Sequence, residues 1–408
     1  MVAQTHDPLA RVDSGIAVVD ADCHVLEPPR ALYELIDPRF QERAPRIVEV
    51  DGVEYWEGDP FFQTGPLDTA QPASGIVGMA GVRRWADQSS YSGADLKYTD
   101  ANPAGFFPEA RLEEFEAEGI AQGVFFPTVL LRVESDVEYG QALYRAYNEW
   151  LSEFCRFSPG RLFGACATHL GNPEEAAKEV RRCATELGMR VAFVRPSLYI
   201  DGTQWWDDVY EPFWQACEDN DVAVAFHPFT KDALAGAGRH FSLWNSPDPA
   251  ALFMNVPFGP PVDAMFTLSS LICGGVLERH PGLKIGFVEC SGGWAVPILD
   301  RLDQRYEFLG QTMGKYLSMT PSDYFKRQCW ISFDPDEPSL SFSAEHLGAD
   351  RIMVGSDFPH PDAFYPDMLG MVDKQISGLS ADERSLILGE SARAFYGLPS
   401  VPVATSNG

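Results

Sequence analysis

The sequence predicts a (β/α)8 TIM barrel, and two observations predict it. Eight short apolar or β-branched runs recur along the 408 residues, and each is followed by a loop and a helical pattern. Strict alternation of β and α segments implies a parallel sheet, and eight such units are the number that closes a barrel. A third observation, 45% hydrophobic and 12% aromatic residues, supplies enough apolar material for a core of that size.

The runs are "IAVVDADCH" (16–24), "AQGVFFPT" (121–128), "RLFGACATHL" (161–170), "RVAFVRPS" (190–197), "VAVAFHPF" (222–229), "LKIGFVEC" (283–290), "QCWISFD" (328–334) and "RIMVGSD" (351–357). Among the helical patterns between them are 136–157, 172–188 and 207–220, the second opening on Asn172 as cap with Pro173 in the first turn. Two connections are too long for simple crossovers. They place insertions after strands 1 and 5, at about 25–110 and 230–262, which are expected to cover the C-terminal mouth as lids or subunit contacts. Within the first, "DGVEYWEGDPFF" reads as a small hairpin. Residues 1–15 and 399–408 read as tails around a single domain spanning 16–398.

A formal charge of −28, from 31 Lys plus Arg against 59 Asp plus Glu, disfavours nucleic acid and anionic membranes as partners. The eight cysteines form no C-x-x-C pair and mostly sit in apolar runs, as buried thiols in a reducing compartment do. No signal-peptide core or membrane-spanning stretch is evident, so the expected location is the cytoplasm.

The chemistry follows from the strand ends. Asp22 and His24 are two apart on strand 1 and share a face; His227 ends strand 5 and Asp357 ends strand 8. A barrel brings these positions to one rim, where two imidazoles and carboxylate oxygens suit one divalent ion, Zn²⁺ first and Mn²⁺ second. Each residue alone reads more simply as a helix cap or a satisfied core histidine; their joint placement favours the metal. Arg195 at the end of strand 4, His169 at the end of strand 3, His360 just after strand 8 and Trp244 in the second insertion are candidate substrate contacts. His280 belongs to a turn on the far side of the barrel and is excluded.

These motifs resemble the amidohydrolase superfamily, in the branch containing aminocarboxymuconate semialdehyde decarboxylase and the aromatic-acid decarboxylases. "DADCHVLEP" looks like its strand-1 metal element with Asp20 in support, "VAVAFHPF" resembles its strand-5 histidine, and "RIMVGSDFPHPD" is similar to its strand-8 signature. The resemblance implies that Asp357 is the last ligand or the base acting on metal-bound water. It also exposes a departure: where the family commonly reads G-H-x-G on strand 6, this chain has Glu289 and Cys290. Glu289 then stands as a ligand, a proton shuttle, an acceptor behind the ligands or a paired structural acid. Because the missing histidine resembles the decarboxylases' proton donor, the expectation is a metal-dependent hydrolase with Asp357, Glu289 and His227 in catalysis. Nonoxidative decarboxylation is the alternative, and a noncatalytic metal-binding barrel the second. Aromatic residues of the insertions, among them Trp56, Trp85, Phe241, Trp244 and Phe258, suggest a small cyclic or aromatic substrate. Lid insertions and the resemblance imply a homodimer or larger homo-oligomer.

Overall fold

The structure is a computed structural model that describes residues 15–58, 97–131, 136–229, 249–360 and 363–401. Its ten strands are β1 (Val18–His24), β2 (Arg46–Val50), β3 (Val53–Glu57), β4 (Ile120–Phe126), β5 (Leu162–Ala167), β6 (Val191–Val194), β7 (Ala223–Phe226), β8 (Ile285–Phe287), β9 (Cys329–Phe333) and β10 (Ile352–Val354). Eight of them form one parallel sheet in the order β1-β4-β5-β6-β7-β8-β9-β10. These strands fall on the eight runs expected from the sequence, each shorter than its run, with β4 starting one residue early at Ile120. The sheet curls until its edges meet: Asp357 N donates to Asp22 O at 2.9 Å and His24 N to Phe358 O at 2.8 Å. Gly355 permits that meeting, because a Cβ there would lie 2.4 Å from Cβ of Asp22.

The strands are apolar nearly throughout because both of their faces are buried, by the barrel interior and by the helical layer. That layer includes Pro108–Glu118, Val137–Arg156, Pro173–Arg182, Glu211–Asp219, Pro249–Cys273 and Ala295–Phe308. The caps follow the sequence: Asn172 accepts from Glu175 N with Pro173 in the first turn, and Asp136 accepts from Tyr139 N. Phe213 and Trp214 of the Glu211–Asp219 helix are fully buried, each contributing about 1.5–3 kcal/mol of transfer free energy.

Between β1 and β4 the hairpin is β2–β3, with antiparallel pairing from Arg46↔Glu57 to Val50↔Val53. It starts earlier than expected, because Asp51 (φ 53°) and Gly52 (φ 84°) are its turn and not the start of its first strand. The β-branched "RIVEV" is the missing partner. In the second expected insertion, residues 230–248 lie outside the described residues, whereas 249–262 form the start of the Pro249–Cys273 helix. Of the expected tails, 1–14 and 402–408 lie outside the described residues, and Pro399 O accepts from Gln122 Nε2 at 3.0 Å. No helix of the described residues is long and apolar enough to cross a membrane.

Candidate metal centre and active site

The C-terminal ends of β1, β7, β8 and β10 converge on one group of side chains. Nε2 of His227 lies 3.2 Å from Nε2 of His24, 2.9 Å from Oε2 of Glu289 and 3.6 Å from Oδ1 of Asp22. Nε2 of His24 is in turn 3.2 Å from Oδ1 of Asp357 and 3.7 Å from Oδ1 of Asp22. Asp22, His24, His227, Asp357, Glu289 and His360, all expected from the sequence, therefore share one site.

The tautomers are set from behind. Nδ1 of His24 is 2.8 Å from the carbonyl of Pro127, and Nδ1 of His227 is 2.8 Å from that of Pro228. A carbonyl only accepts, so each Nδ1 must carry the hydrogen and each Nε2 presents a bare lone pair to the other. Burial also holds His24 neutral, lowering its pKa to about 3. Two lone pairs 3.2 Å apart, with carboxylates around them, repel unless a cation lies between. Asp22 supports the same conclusion: its Oδ1 is buried and has no hydrogen-bond partner. Two imidazole nitrogens and carboxylate oxygens arranged around one point fit a divalent ion.

The acids divide by environment. Burial raises the pKa of Asp22 well above the usual carboxylate range, and the charges of Glu289 and Asp357 add to this. Glu289 is raised by burial and then by Asp357. For Asp357 burial acts upward too, but the charge and the hydrogen bond of His360 beside it outweigh this and hold the carboxyl below its ordinary value. Exposure separates them further: 3% of the Asp22 side chain, 11% of Asp357 and 29% of Glu289 is accessible, so Glu289 is the acid that an entering molecule meets first. Glu289 (φ 49°) and Asp357 (φ 59°) both adopt left-handed backbone conformations that non-glycine residues avoid, which turns each carboxylate from its strand end into the site.

Supporting residues hold these side chains from other elements. Asp20 accepts from Ser356 N at 2.9 Å and from Ser356 Oγ at 2.5 Å, tying β1 to the turn that carries Asp357. His360 places Nδ1 2.7 Å from Oδ1 of Asp357 and Nε2 3.0 Å from Oγ1 of Thr128. Arg111, fully buried, donates to the carbonyls of His24 (2.5 Å), Phe358 (3.3 Å) and Ala104 (2.9 Å). Neither Arg111 nor Thr128 is singled out by the sequence, since Arg111 reaches His24 and Phe358, and Thr128 reaches His360, across long stretches of chain. Asp334, at the end of β9, is a further missed acid; burial, then Glu337 and Glu289, raise its pKa to about 8. Its strand-end position is the signal that could have found it.

The remaining candidates have partners of their own. Arg195 donates to the carbonyls of Leu131 (2.9 Å) and Phe229 (3.4 Å). His169 accepts from Gly171 N at 3.1 Å and lines a separate cavity of about 950 Å³ beside the Val137–Arg156 helix. Trp244 lies outside the described residues. His280 sits between Glu211 and Glu218, at 2.7 and 2.8 Å, in keeping with its exclusion.

Glu27 gives a prediction of its own. Its buried carboxylate accepts from Val129 N (3.0 Å) and Leu130 N (3.2 Å), and burial lifts its pKa to about 7 from the ordinary 4.5. Between those values the folded protein holds a proton that the unfolded chain has released, so stability falls as pH rises through this window, by about 3 kcal/mol in total. Glu27→Gln should flatten the pH dependence of the melting temperature from about pH 4.5 to 7. An unchanged slope would show that Glu27 stays ionised throughout.

A family model described as Amidohydrolase matches residues 19–398. The chain belongs to this amidohydrolase family. Among curated proteins, this chain is similar to 2-amino-3-carboxymuconate-6-semialdehyde decarboxylase of Dictyostelium discoideum, 23% identical over 295 residues that cover 71% of this chain and 77% of the relative. It is also similar to gamma-resorcylate decarboxylase of Rhodococcus jostii (strain RHA1), 29% identical over 228 residues, or 53% of this chain and 65% of that protein, slightly less than two thirds of its length. Its fold matches an amidohydrolase from Mycobacterium avium subsp. paratuberculosis K-10 with a TM-score of 0.73 at 23% identity, over 94% of this chain and 99% of the other. It also matches a mutant 5-carboxyvanillate decarboxylase from Novosphingobium aromaticivorans DSM 12444, solved with bound manganese and 3-methoxy-4-hydroxy-5-nitrobenzoic acid (TM-score 0.58, 22% identity, 71% of this chain and 80% of that one).

The specific activities named among these relatives are decarboxylations, which overturns hydrolysis as the leading expectation. That expectation rested on the absent strand-6 histidine. The structure places the Glu289 carboxyl against His227 at the same strand end, so the missing imidazole does not mean a missing proton-bearing group.

Proposed function

We propose that this amidohydrolase-family protein is a divalent-metal-dependent nonoxidative decarboxylase of a small aromatic or unsaturated carboxylic acid. The observation that carries the reading is the convergence of the bare Nε2 atoms of His24 and His227 with Oδ1 of Asp22 and Asp357, beside the more accessible Glu289. Asp22, His24, His227 and Asp357 would hold the ion. Carboxylate oxygens in such a set favour Mn²⁺ over Zn²⁺, in line with the manganese bound by the solved 5-carboxyvanillate decarboxylase. When bound, the ion supplies a positive centre against which a substrate carboxylate and an adjacent oxygen can be seated.

The chain's own residues handle the proton. Glu289, protonated on Oε2, gives its proton to the ring carbon that bears the carboxylate. The bond from that carbon to the carboxyl group then breaks, its electron pair returns to the ring, and carbon dioxide leaves. Glu289 is left ionised, and its exposed edge allows a proton to return from water. His360 keeps Asp357 oriented, while Asp357, with its lowered pKa, stays ionised as an anchor for the cation.

The test is direct. Mn²⁺-loaded protein is incubated in ¹⁸O-water with 2,6-dihydroxybenzoate and with 5-carboxyvanillate, and carbon dioxide and the organic product are measured. Release of one carbon dioxide per product, with no label in the organic product, is expected. No carbon dioxide from either acid would overturn the reading.

A further inference from the structure

We propose that Glu337, on the loop after β9, is a positioning residue that fixes the catalytic turn carrying Glu289; the proposal rests on the decarboxylase reading. The turn 289–293 is an unstable stretch of backbone by itself. Glu289 (φ 49°) and Ser291 (φ 52°) are both left-handed, with one residue between them. Something outside the turn must hold it.

The Glu337 carboxylate does so through three contacts. Gly292 N donates to Oε2 at 2.9 Å and to Oε1 at 3.1 Å, and Gly293 N donates to Oε1 at 2.8 Å. Ser339 Oγ donates to Oε1 at 3.0 Å and fixes the carboxylate in turn. The packing is close at both glycines: a Cβ on Gly292 would lie 2.2 Å from the Phe333 ring, and one on Gly293 would lie 2.5 Å from Ser339 Oγ. At the other end of the turn Glu289 N donates to Ser332 Oγ at 3.2 Å, so β9 and the loop after it grip the turn at both ends. Between these grips the Glu289 carboxyl lies 2.9 Å from Nε2 of His227.

A plainer role exists and the experiment must separate it. Glu337 also lies at the start of the Ala295–Phe308 helix, where a carboxylate stabilises the first turn. A helix cap acts on stability regardless of what residue 289 is, whereas a positioning residue acts through Glu289 alone. A double-mutant cycle therefore distinguishes them.

In otherwise unchanged, Mn²⁺-loaded protein, Glu337→Ala should lower kcat by about 10- to 100-fold while KM moves by less than about threefold. In the Glu289→Gln background the same substitution should change kcat by less than about twofold. Equal losses in the two backgrounds, or a change confined to KM, would overturn the proposal. Hydrogen exchange at the Gly292 and Gly293 amides supplies a readout that needs no turnover. Faster exchange in Glu337→Ala with β9 still protected supports the clamp, and unchanged exchange removes it. A wild-type protein that releases no carbon dioxide would sink the decarboxylase reading, and the clamp would then be judged by exchange.

Discussion

Replacing His227 with alanine is expected to strip the protein of its metal and of its turnover together. His227 is fully buried, its Nδ1 is committed to the Pro228 carbonyl, and its Nε2 faces His24, Asp22 and Glu289 at once. Removing it deletes a donor and leaves three carboxylates around a weaker cation site. Partners behind a ligand cost 10–100-fold in affinity, so loss of the ligand itself should exceed about 100-fold. Elemental analysis and competition with a chelator measure this, and circular dichroism checks that the barrel persists. His227→Asn keeps part of the side chain in the slot between Phe126 and Phe193, guarding against a loss that is only packing. Unchanged metal stoichiometry in both variants would take His227 out of the site.

The barrel was legible because its strands are buried on both faces and therefore stand out as apolar runs. The clustered site residues were legible because Asp22, His24, His227 and Asp357 interrupt those runs at the ends, where polarity has no packing purpose. What escaped depends on backbone geometry or on distant contacts. The left-handed conformations of Glu289 and Asp357 have no signal in a sequence without glycine at those positions. Arg111 reaches His24 and Phe358 across 87 and 247 residues, and such a tie is invisible until the barrel has closed. The hairpin was misjudged for a local reason: Asp51 and Gly52 read equally as a strand start or as a turn, and only the pairing of "RIVEV" with "VEYWE" decides. The error of reaction was chemical. The missing strand-6 histidine was weighed as the loss of a decarboxylase's proton donor even though Glu289 stood as a possible proton shuttle, and a carboxyl raised by burial and by a neighbouring acid can carry that proton.

That carboxyl supports the other large effect, because Glu289→Gln should lower kcat by about 10²–10⁴-fold, the range for a lost general acid or base. Glutamine keeps the shape, and its amide nitrogen can donate to His227, but it has no proton of suitable acidity to give. The variant should retain its metal, since Asp22, His24, His227 and Asp357 are untouched. Its metal-free form should melt at the same temperature as the parent or higher, because one of three crowded acids has been made neutral; burial and Asp357 both oppose charge on Glu289. The three measurements discriminate among roles. A drop in kcat with metal and melting temperature preserved makes Glu289 the proton donor. A loss of metal in parallel with activity makes it a ligand, with the ion drawn toward β8. Full activity makes it a structural acid held by His227, and the proton must then come from another group at the mouth, of which Asp334 at the end of β9, with its pKa raised to about 8, is the first to replace by asparagine.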